Sequence, residues 1–325
     1  MFSKVHLNFL IPVLQIASVF YALYPVAVWA VEPITPIPLK ARLDINKVSL
    51  GKQLFHDRRL SKDNSISCAS CHPLNNAGMD GKVVSVGVNG RLGVINTPTV
   101  FNSSLNFVQF WDGRALTLED QIDGPVHNPN EMATDWPSII KKLSMDHKLS
   151  ASFNEVYSNG ISSQSIKDAI ATFERSLNTP NSRFDRYLRG DTNAITRQEL
   201  EGYKLFKAYG CTSCHQGVAV GGNMFEKMGV IHDYFAGRVN MREADNGRYN
   251  VTGIEEHRHE FKVPSLRNIT LTAPYFHDGS APTLLVAIQI MSKYQLGRTV
   301  GDEDIYKIIK FLHTLTGEFG EYANE

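Results

Sequence analysis

Four cysteines constrain this chain more than any other feature. They are Cys68, Cys71, Cys211 and Cys214, and they fall in the runs Cys68-Ala69-Ser70-Cys71-His72 and Cys211-Thr212-Ser213-Cys214-His215. Both runs read Cys-x-x-Cys-His, the attachment signature of a c-type haem. Two thiols a turn apart can reach both vinyl groups of one porphyrin and form thioethers. The adjacent histidine then lies under the ring and gives the iron its proximal nitrogen. A zinc site would need the two pairs to converge into one set of four ligands. A thiol redox pair needs no following histidine and normally occurs once. No cysteine is left over for a disulfide, so the sequence implies two covalently bound haem c groups, one in each half.

Bulk properties narrow the remainder. A chain of 325 residues can bury a sizeable core and form two ordinary domains. Its 33 basic residues balance its 33 acidic ones, and no long like-charge run occurs. That argues against a nucleic-acid partner, which requires a basic excess or patch. Residues 1–30 differ from the rest. Lys4 and His6 precede a nearly uncharged stretch that ends at Val28-Trp29-Ala30, the pattern of a secretory signal peptide and hence of export to the periplasm. The other reading is a retained membrane anchor. Pro12 and Pro25 interrupt the stretch and would weaken a spanning helix.

Residues 31–45 carry Pro33, Pro36 and Pro38 and predict an extended N-terminal arm. A segment rich in Gly, Asn, Val and Thr over 75–110 predicts loops around a pocket. Amphipathic helices are predicted over 137–157 and 163–178, the second with Ile166, Ala169, Ile170, Phe173 and Leu177 at helical spacing. Thr196 and Glu199 form a capping-box pattern ahead of a helix that leads into the second cysteine run. Gly217 to Gly222 is no phosphate loop, since no Gly-Lys-Ser/Thr follows. Further helices are predicted over 283–294 and 302–316.

Several runs around these motifs resemble the bacterial dihaem cytochrome c peroxidases, a superfamily that includes the MauG-type enzymes. They are residues 54–61 (Leu-Phe-His-Asp-Arg-Arg-Leu-Ser), 96–102 (Asn-Thr-Pro-Thr-Val-Phe-Asn), 110–114 (Phe-Trp-Asp-Gly-Arg), Gly124-Pro125 with Glu131-Met132, 184–190, 263–268 (Val-Pro-Ser-Leu-Arg-Asn) and 274–279. The resemblance implies a mainly α fold of two cytochrome-c-like domains, residues 46–190 and 191–325, each with one covalent haem, the haems meeting near the domain interface. The haem of Cys68, Cys71 and His72 would be peroxidatic, under a distal group of Gln121, Pro125 and Glu131. Splitting a peroxide requires a proton moved from the near oxygen to the departing one, and a positioned carboxylate can perform both transfers. The haem of Cys211, Cys214 and His215 would transfer electrons, with Met291 as its second axial ligand. Trp111 would lie between the haems. One calcium would be held by the Asn96 side chain and the carbonyls of Thr272 and Pro274, oxygen donors that suit a hard cation.

The expected activity is reduction of hydrogen peroxide to water, with electrons from a small periplasmic c-type cytochrome or cupredoxin, in a homodimer. A MauG-like enzyme that oxidises Trp or Tyr of a partner protein is the alternative; that branch has Tyr at the position of Met291. A bare dihaem electron carrier would leave Gln121 and Glu131 unexplained. One departure stands out. Many members carry a histidine, in a Ser-Val/Ile-Gly-His setting, that closes the peroxidatic iron until the other haem is reduced. Here the run is Ser85-Val86-Gly87-Val88. Val88 cannot bind iron, so the first haem is expected to be open without reductive activation.

Overall fold

The computed structural model describes Met1 and residues 32–319, so the expected signal peptide lies outside the described residues. The described chain is mainly helical: α1 (Ile45–Phe55), α2 (Cys68–Cys71), α3 (Leu118–His127), α4 (Trp136–Ser144), α5 (His147–Val156), α6 (Ser163–Ser176), α7 (Arg183–Leu188), α8 (Arg197–Ala208), α9 (Tyr249–Thr252), α10 (Leu284–Tyr294) and α11 (Asp302–His313). One short antiparallel ribbon joins β1 (Phe225–Lys227) to β2 (Glu260–Lys262), with Phe225 opposite Lys262. No described helix is long and apolar enough to cross a membrane.

Two helix crossings organise the molecule, and each depends on a glycine. Helix α1 lies against α6, and α8 lies against α11. A Cβ on Gly51 of α1 would sit 1.9 Å from the Ala169 carbonyl oxygen and 2.8 Å from Phe173 Cβ. A Cβ on Gly202 of α8 would sit 1.9 Å from the Lys307 carbonyl oxygen and 3.1 Å from Phe311 Cβ. In both crossings the backbones touch where a side chain is missing, and a phenylalanine one turn further on closes the gap. Around the first crossing, Leu54, Phe55, Phe153, Ile170 and Phe173 form one apolar cluster. Phe184, Tyr203, Phe206 and Phe311 form another around the second. Each such side chain stabilises the fold by roughly 1.5–3 kcal/mol through burial.

Local signals account for the helix ends. The Thr196 hydroxyl accepts the Glu199 amide at 3.3 Å and the Glu199 carboxylate accepts the Thr196 amide at 2.8 Å, the reciprocal cap the sequence predicts. The stretch expected as one helix over 137–157 is two. Asp146 starts a new helix by accepting the amides of Lys148 and Leu149, both at 3.1 Å. That side chain competes with the main chain for donors and breaks the run. Helix α11 ends at His313, three residues before the predicted boundary.

The predicted arm is extended but not free. Ile34 pairs in parallel with Gly217, and Ile34 and Ile37 are buried. The fully buried Arg267 fastens it: its guanidinium donates to the carbonyls of Thr35 (2.9 Å) and Val218 (2.9 Å) and pairs with Asp185 at 2.7 Å. Residues before α1 thereby strap the segment that follows the second cysteine run.

Candidate active site

Ser67 precedes α2, its amide bonded to the Ser70 hydroxyl at 2.9 Å, so Cys68 and Cys71 sit one turn apart on a single helical turn. The His72 amide donates to the Cys68 carbonyl at 2.9 Å, which ties the histidine to that turn. On the ring, Nδ1 lies 3.1 Å from the Gly78 carbonyl oxygen. Nδ1 therefore carries the proton, and the Nε2 lone pair is left for a metal. Apolar surroundings push His72 below its ordinary value and push the Cys68 thiol up to about 12. The Glu174 carboxyl, itself raised to about 8 by burial, lies close enough to reinforce the shift on Cys68.

The second run is a 3-10 turn, Cys211–Ser213, at the end of α8. Burial raises Cys211 to about 11 and lowers His215 to about 4, against the opposing pull of the Val220 and Pro264 carbonyls. His215 Nδ1 is buried with no acceptor in hydrogen-bonding geometry. The glycine-rich stretch after it makes room for this ring. A Cβ on Gly221 would fall 2.3 Å from the Pro264 oxygen and 3.4 Å from His215 Nδ1.

These surroundings decide between the readings of the cysteine runs. Neutral, buried thiols are the opposite of the low-pKa, electropositive setting of a redox thiolate. A zinc site needs convergent ligands, yet among the described residues the only cluster of His, Cys, Asp and Glu with metal-ligand spacing is Asp245, His277 and Asp278. The His277 Nε2 is bonded to Asp245 at 2.7 Å, and Asp278 pairs with Arg238 at 2.8 Å, so that cluster is satisfied by its own partners. Haem attachment is the reading the residues fit. His215, Cys211 and Cys214 line a largely apolar cavity of about 280 Å³ together with Met291 and Trp111.

Beside the first run lies the expected distal group. Gln121 and Pro125 are four residues apart on α3 and so share a face. The Pro125 carbonyl accepts the Met132 amide at 3.0 Å, which folds the 128–132 turn back against the helix. Gly124 has to be small here, since a Cβ would meet the Phe110 ring at 2.5 Å. Within the turn the Asn128 amide donates to Glu131 Oε1 at 2.7 Å. Burial raises Glu131, with Asn128 and the charge of Arg114 pulling the other way. Glu131 is near enough to Cys71 to lift that thiol. Val88 is buried, and its amide donates to the Glu131 carbonyl at 2.9 Å. Gly87 permits the approach, because a Cβ there would lie 2.1 Å from the Asn130 oxygen.

Trp111 is fixed at the cavity of the second run. Its indole donates to the Asn96 carbonyl at 3.0 Å, and its ring meets His277 edge-on at 6.5 Å. Asn96 is buried, donates through its side-chain amide to Lys82 O at 2.8 Å, and lines the same cavity as Thr272 and Pro274. The structure thus gathers Met291, Trp111, Asn96, Thr272 and Pro274 at one cavity with the second cysteine run. Near the first it brings Glu131, whose charge reaches Cys71, while Gln121 and Pro125 share a face of α3 that the Pro125–Met132 bond ties to the Glu131 turn. Sequence reading passed over Asn128, whose carboxylate partner sits three residues away, and the buried Glu174 and Lys262, whose burial no local pattern announces.

Comparison with known proteins agrees with this geometry. The family model described as di-haem cytochrome c peroxidase matches residues 45–193. Cytochrome c peroxidase Ccp of Escherichia coli (strain K12) is 51% identical over 295 residues, 90% of this chain; the match spans 63% of that protein's length. Cytochrome c551 peroxidase of Nitrosomonas europaea is 47% identical over 288 residues, covering 88% of this chain and 85% of that one. Among solved structures, a MauG-like protein associated with microbial copper homeostasis superposes with a TM-score of 0.78 at 28% identity, covering 88% of this chain and 93% of that chain.

Proposed function

Because the chain belongs to the di-haem cytochrome c peroxidase family, we propose that it reduces hydrogen peroxide to water at the site beside Cys68, Cys71 and His72. Peroxidase relatives of up to 51% identity support an oxidoreductase that acts on hydrogen peroxide. Two haems, when bound through the two Cys-x-x-Cys-His runs, supply the two electrons. Two protons complete the balance to two waters. Glu131 takes the proton from the nearer peroxide oxygen and delivers it to the departing one. Asn128 holds Oε1 of that carboxyl in place at 2.7 Å. Burial raises Glu131, so the group can both hold and release a proton closer to neutral pH. Gln121 and Pro125, on one face of α3, would flank that carboxyl. His72, with its Nδ1 proton held on Gly78, presents Nε2 for ligation.

The observation that carries this reading is Glu131: a half-buried, raised, oriented carboxyl near Cys71 of the first cysteine run. The test mixes purified protein, peroxide and a reduced small c-type cytochrome. Rapid multiple-turnover oxidation supports it. Absence of turnover, with a long-lived oxidised spectrum after peroxide, favours oxidation of Trp or Tyr on a partner protein instead. Met291 in the second-haem cavity, where the MauG branch would have Tyr, favours the peroxidase.

Met291 and His215, which line one cavity, would both hold the second haem's iron, and Trp111 in the same cavity would assist electron transfer between the haems. Asn96 and the carbonyls of Thr272 and Pro274 hold one calcium, tested by chelation and calcium rescue of turnover. Val88 leaves the peroxide site open before any reduction. A wholly six-coordinate, low-spin spectrum of the oxidised first haem would overturn that. The enzyme works in the periplasm after cleavage behind Ala30, which the mass of the mature N-terminus tests. It acts as a homodimer, with a c-type cytochrome or cupredoxin as donor.

A further inference from the structure

Lys262 is a buried titratable residue of the cavity that the proposed reaction leaves unused. It ends β2, where its amide donates to the Trp111 carbonyl at 2.8 Å, so its backbone is fixed to the residue proposed to join the haems. It is only 8% exposed, between Phe261 and Val263, and its side chain lines the cavity with Cys214, His215 and Met291.

Among the described residues the Lys262 ammonium has no hydrogen-bond or ion-pair partner. Two acids stand nearby. The charge of Asp112 acts on Lys262, but both Asp112 oxygens are taken by Arg114 Nη1, at 2.9 and 2.8 Å. Glu226 belongs to the opposite strand, where it is in register with Phe261 rather than Lys262, and its Oε1 accepts the Lys227 amide at 2.8 Å. Burial lowers Lys262 to about 8, the response of an ammonium that lacks an anion. A buried, unpaired cation is costly, and native chains hold one where a ligand supplies the counter-charge. Here the cavity is apolar apart from a few groups, and the lysine is placed at its wall.

We infer that Lys262 binds a carboxylate of the haem attached at Cys211 and Cys214, pairing with a propionate on the side of that haem facing Trp111. This rests on the proposed haem attachment and adds to it a positioning residue that sets the charge balance at the second haem. An ammonium at that carboxylate favours the reduced, less positive iron. Removal of the ammonium shifts the balance towards the oxidised state.

The experiment uses the full-length holoprotein and the variants Lys262→Met, Lys262→Gln and Lys262→Arg. Potentiometric titration follows the second haem, and resonance Raman follows the propionate bending band. Lys262→Met and Lys262→Gln are expected to lower the reduction equilibrium constant of the second haem by about tenfold, about 59 mV for one electron, and to shift the propionate band. Lys262→Arg is expected to restore both. The first haem should change little. An unchanged potential and band in either neutral variant, with haem content intact, overturns the inference. So does an arginine variant as altered as the neutral ones, since packing rather than charge is then at work. A purified chain with fewer than two haems fails the attachment reading itself, which a haem assay on the wild type distinguishes beforehand.

Discussion

The two histidines that follow the cysteine pairs are held in opposite ways. His72 gives its Nδ1 proton to the Gly78 carbonyl at 3.1 Å, while His215 Nδ1 is buried without an acceptor. A hydrogen bond at Nδ1 makes the other nitrogen a stronger donor to a metal. The bond to Gly78 thus fixes the His72 ring more firmly than the Val220 and Pro264 carbonyls, which flank His215 without meeting its Nδ1 in hydrogen-bonding geometry, fix the other. Acids divide the same way. The first half places a raised carboxyl, Glu131, on an oriented turn beside its cysteines. Around the second helix crossing, a fully buried acid, Asp185, instead fastens the chain to Arg267. On the proposed reading, one attachment motif is used twice, once near the raised carboxyl of Glu131 and once at a largely apolar cavity.

The sharpest way to break this comparison is to remove the proton carrier. Glu131→Gln keeps the shape and loses the acid, so kcat for peroxide should fall by about 10²–10⁴-fold. The haem content and the potential of the second haem should stay as they were. A variant with near-normal turnover would mean that the first site has no special role in proton transfer.

The next largest effect tests the fastening of Asp185 to Arg267. Arg267→Met leaves Asp185 buried and unpaired and releases Thr35 and Val218. Removal of one partner of a buried pair costs about 3–5 kcal/mol, to be read as a lower midpoint in denaturant unfolding. Replacement of both Arg267 and Asp185 by apolar residues should recover much of the loss. Failure to recover would mean that the strap contacts, not the charge, carry the stability.

Glu174 provides the matching test in the first half. Burial raises its folded value to about 8 from an ordinary 4.5. The folded chain therefore keeps a proton that the unfolded chain releases, and stability is greatest below about pH 4.5 and declines as pH rises towards 8. Glu174→Gln lacks the titration. It should match the wild type near pH 4 and exceed it at pH 8 by on the order of 3 kcal/mol, seen in thermal midpoints across pH. Asp185→Asn should do the reverse and destabilise, because Arg267 compensates that acid.

Much of this asymmetry was legible in the sequence, for a definite reason. The two Cys-x-x-Cys-His runs have a spacing fixed by chemistry, caps such as Thr196 and Glu199 act over three residues, and Glu131 and Met291 come from the family resemblance alone. What escaped is long-range. The arm over residues 31–45 reads as extended from its prolines, yet nothing in it signals that Arg267, 232 residues away from Thr35, closes on it. Lys262 reads as a surface lysine beside two apolar residues until the fold turns it inward. The break at Asp146 is the local exception: a capping aspartate inside an amphipathic pattern was there to be read.

The smallest expected effect asks whether the halves are equivalent units at all. Gly51→Ala and Gly202→Ala place a Cβ 1.9 Å from a carbonyl of the crossing helix in each half. Overpacking costs about 1–3 kcal/mol, and the helix preference of alanine over glycine offsets about 1 kcal/mol of it. The clash is with backbone, which cannot rotate away, so the upper end applies and each variant should lose about 2 kcal/mol net, seen as a fall in thermal midpoint. The informative readout is spectral. If the two crossings are independent, Gly51→Ala perturbs only the His72 haem and Gly202→Ala only the His215 haem. If either substitution shifts both spectra, strain passes between the helix pairs, through the cavity wall that Trp111 and Asn96 share. The different settings of His72 and His215 would then belong to one coupled core rather than to two separately tuned halves.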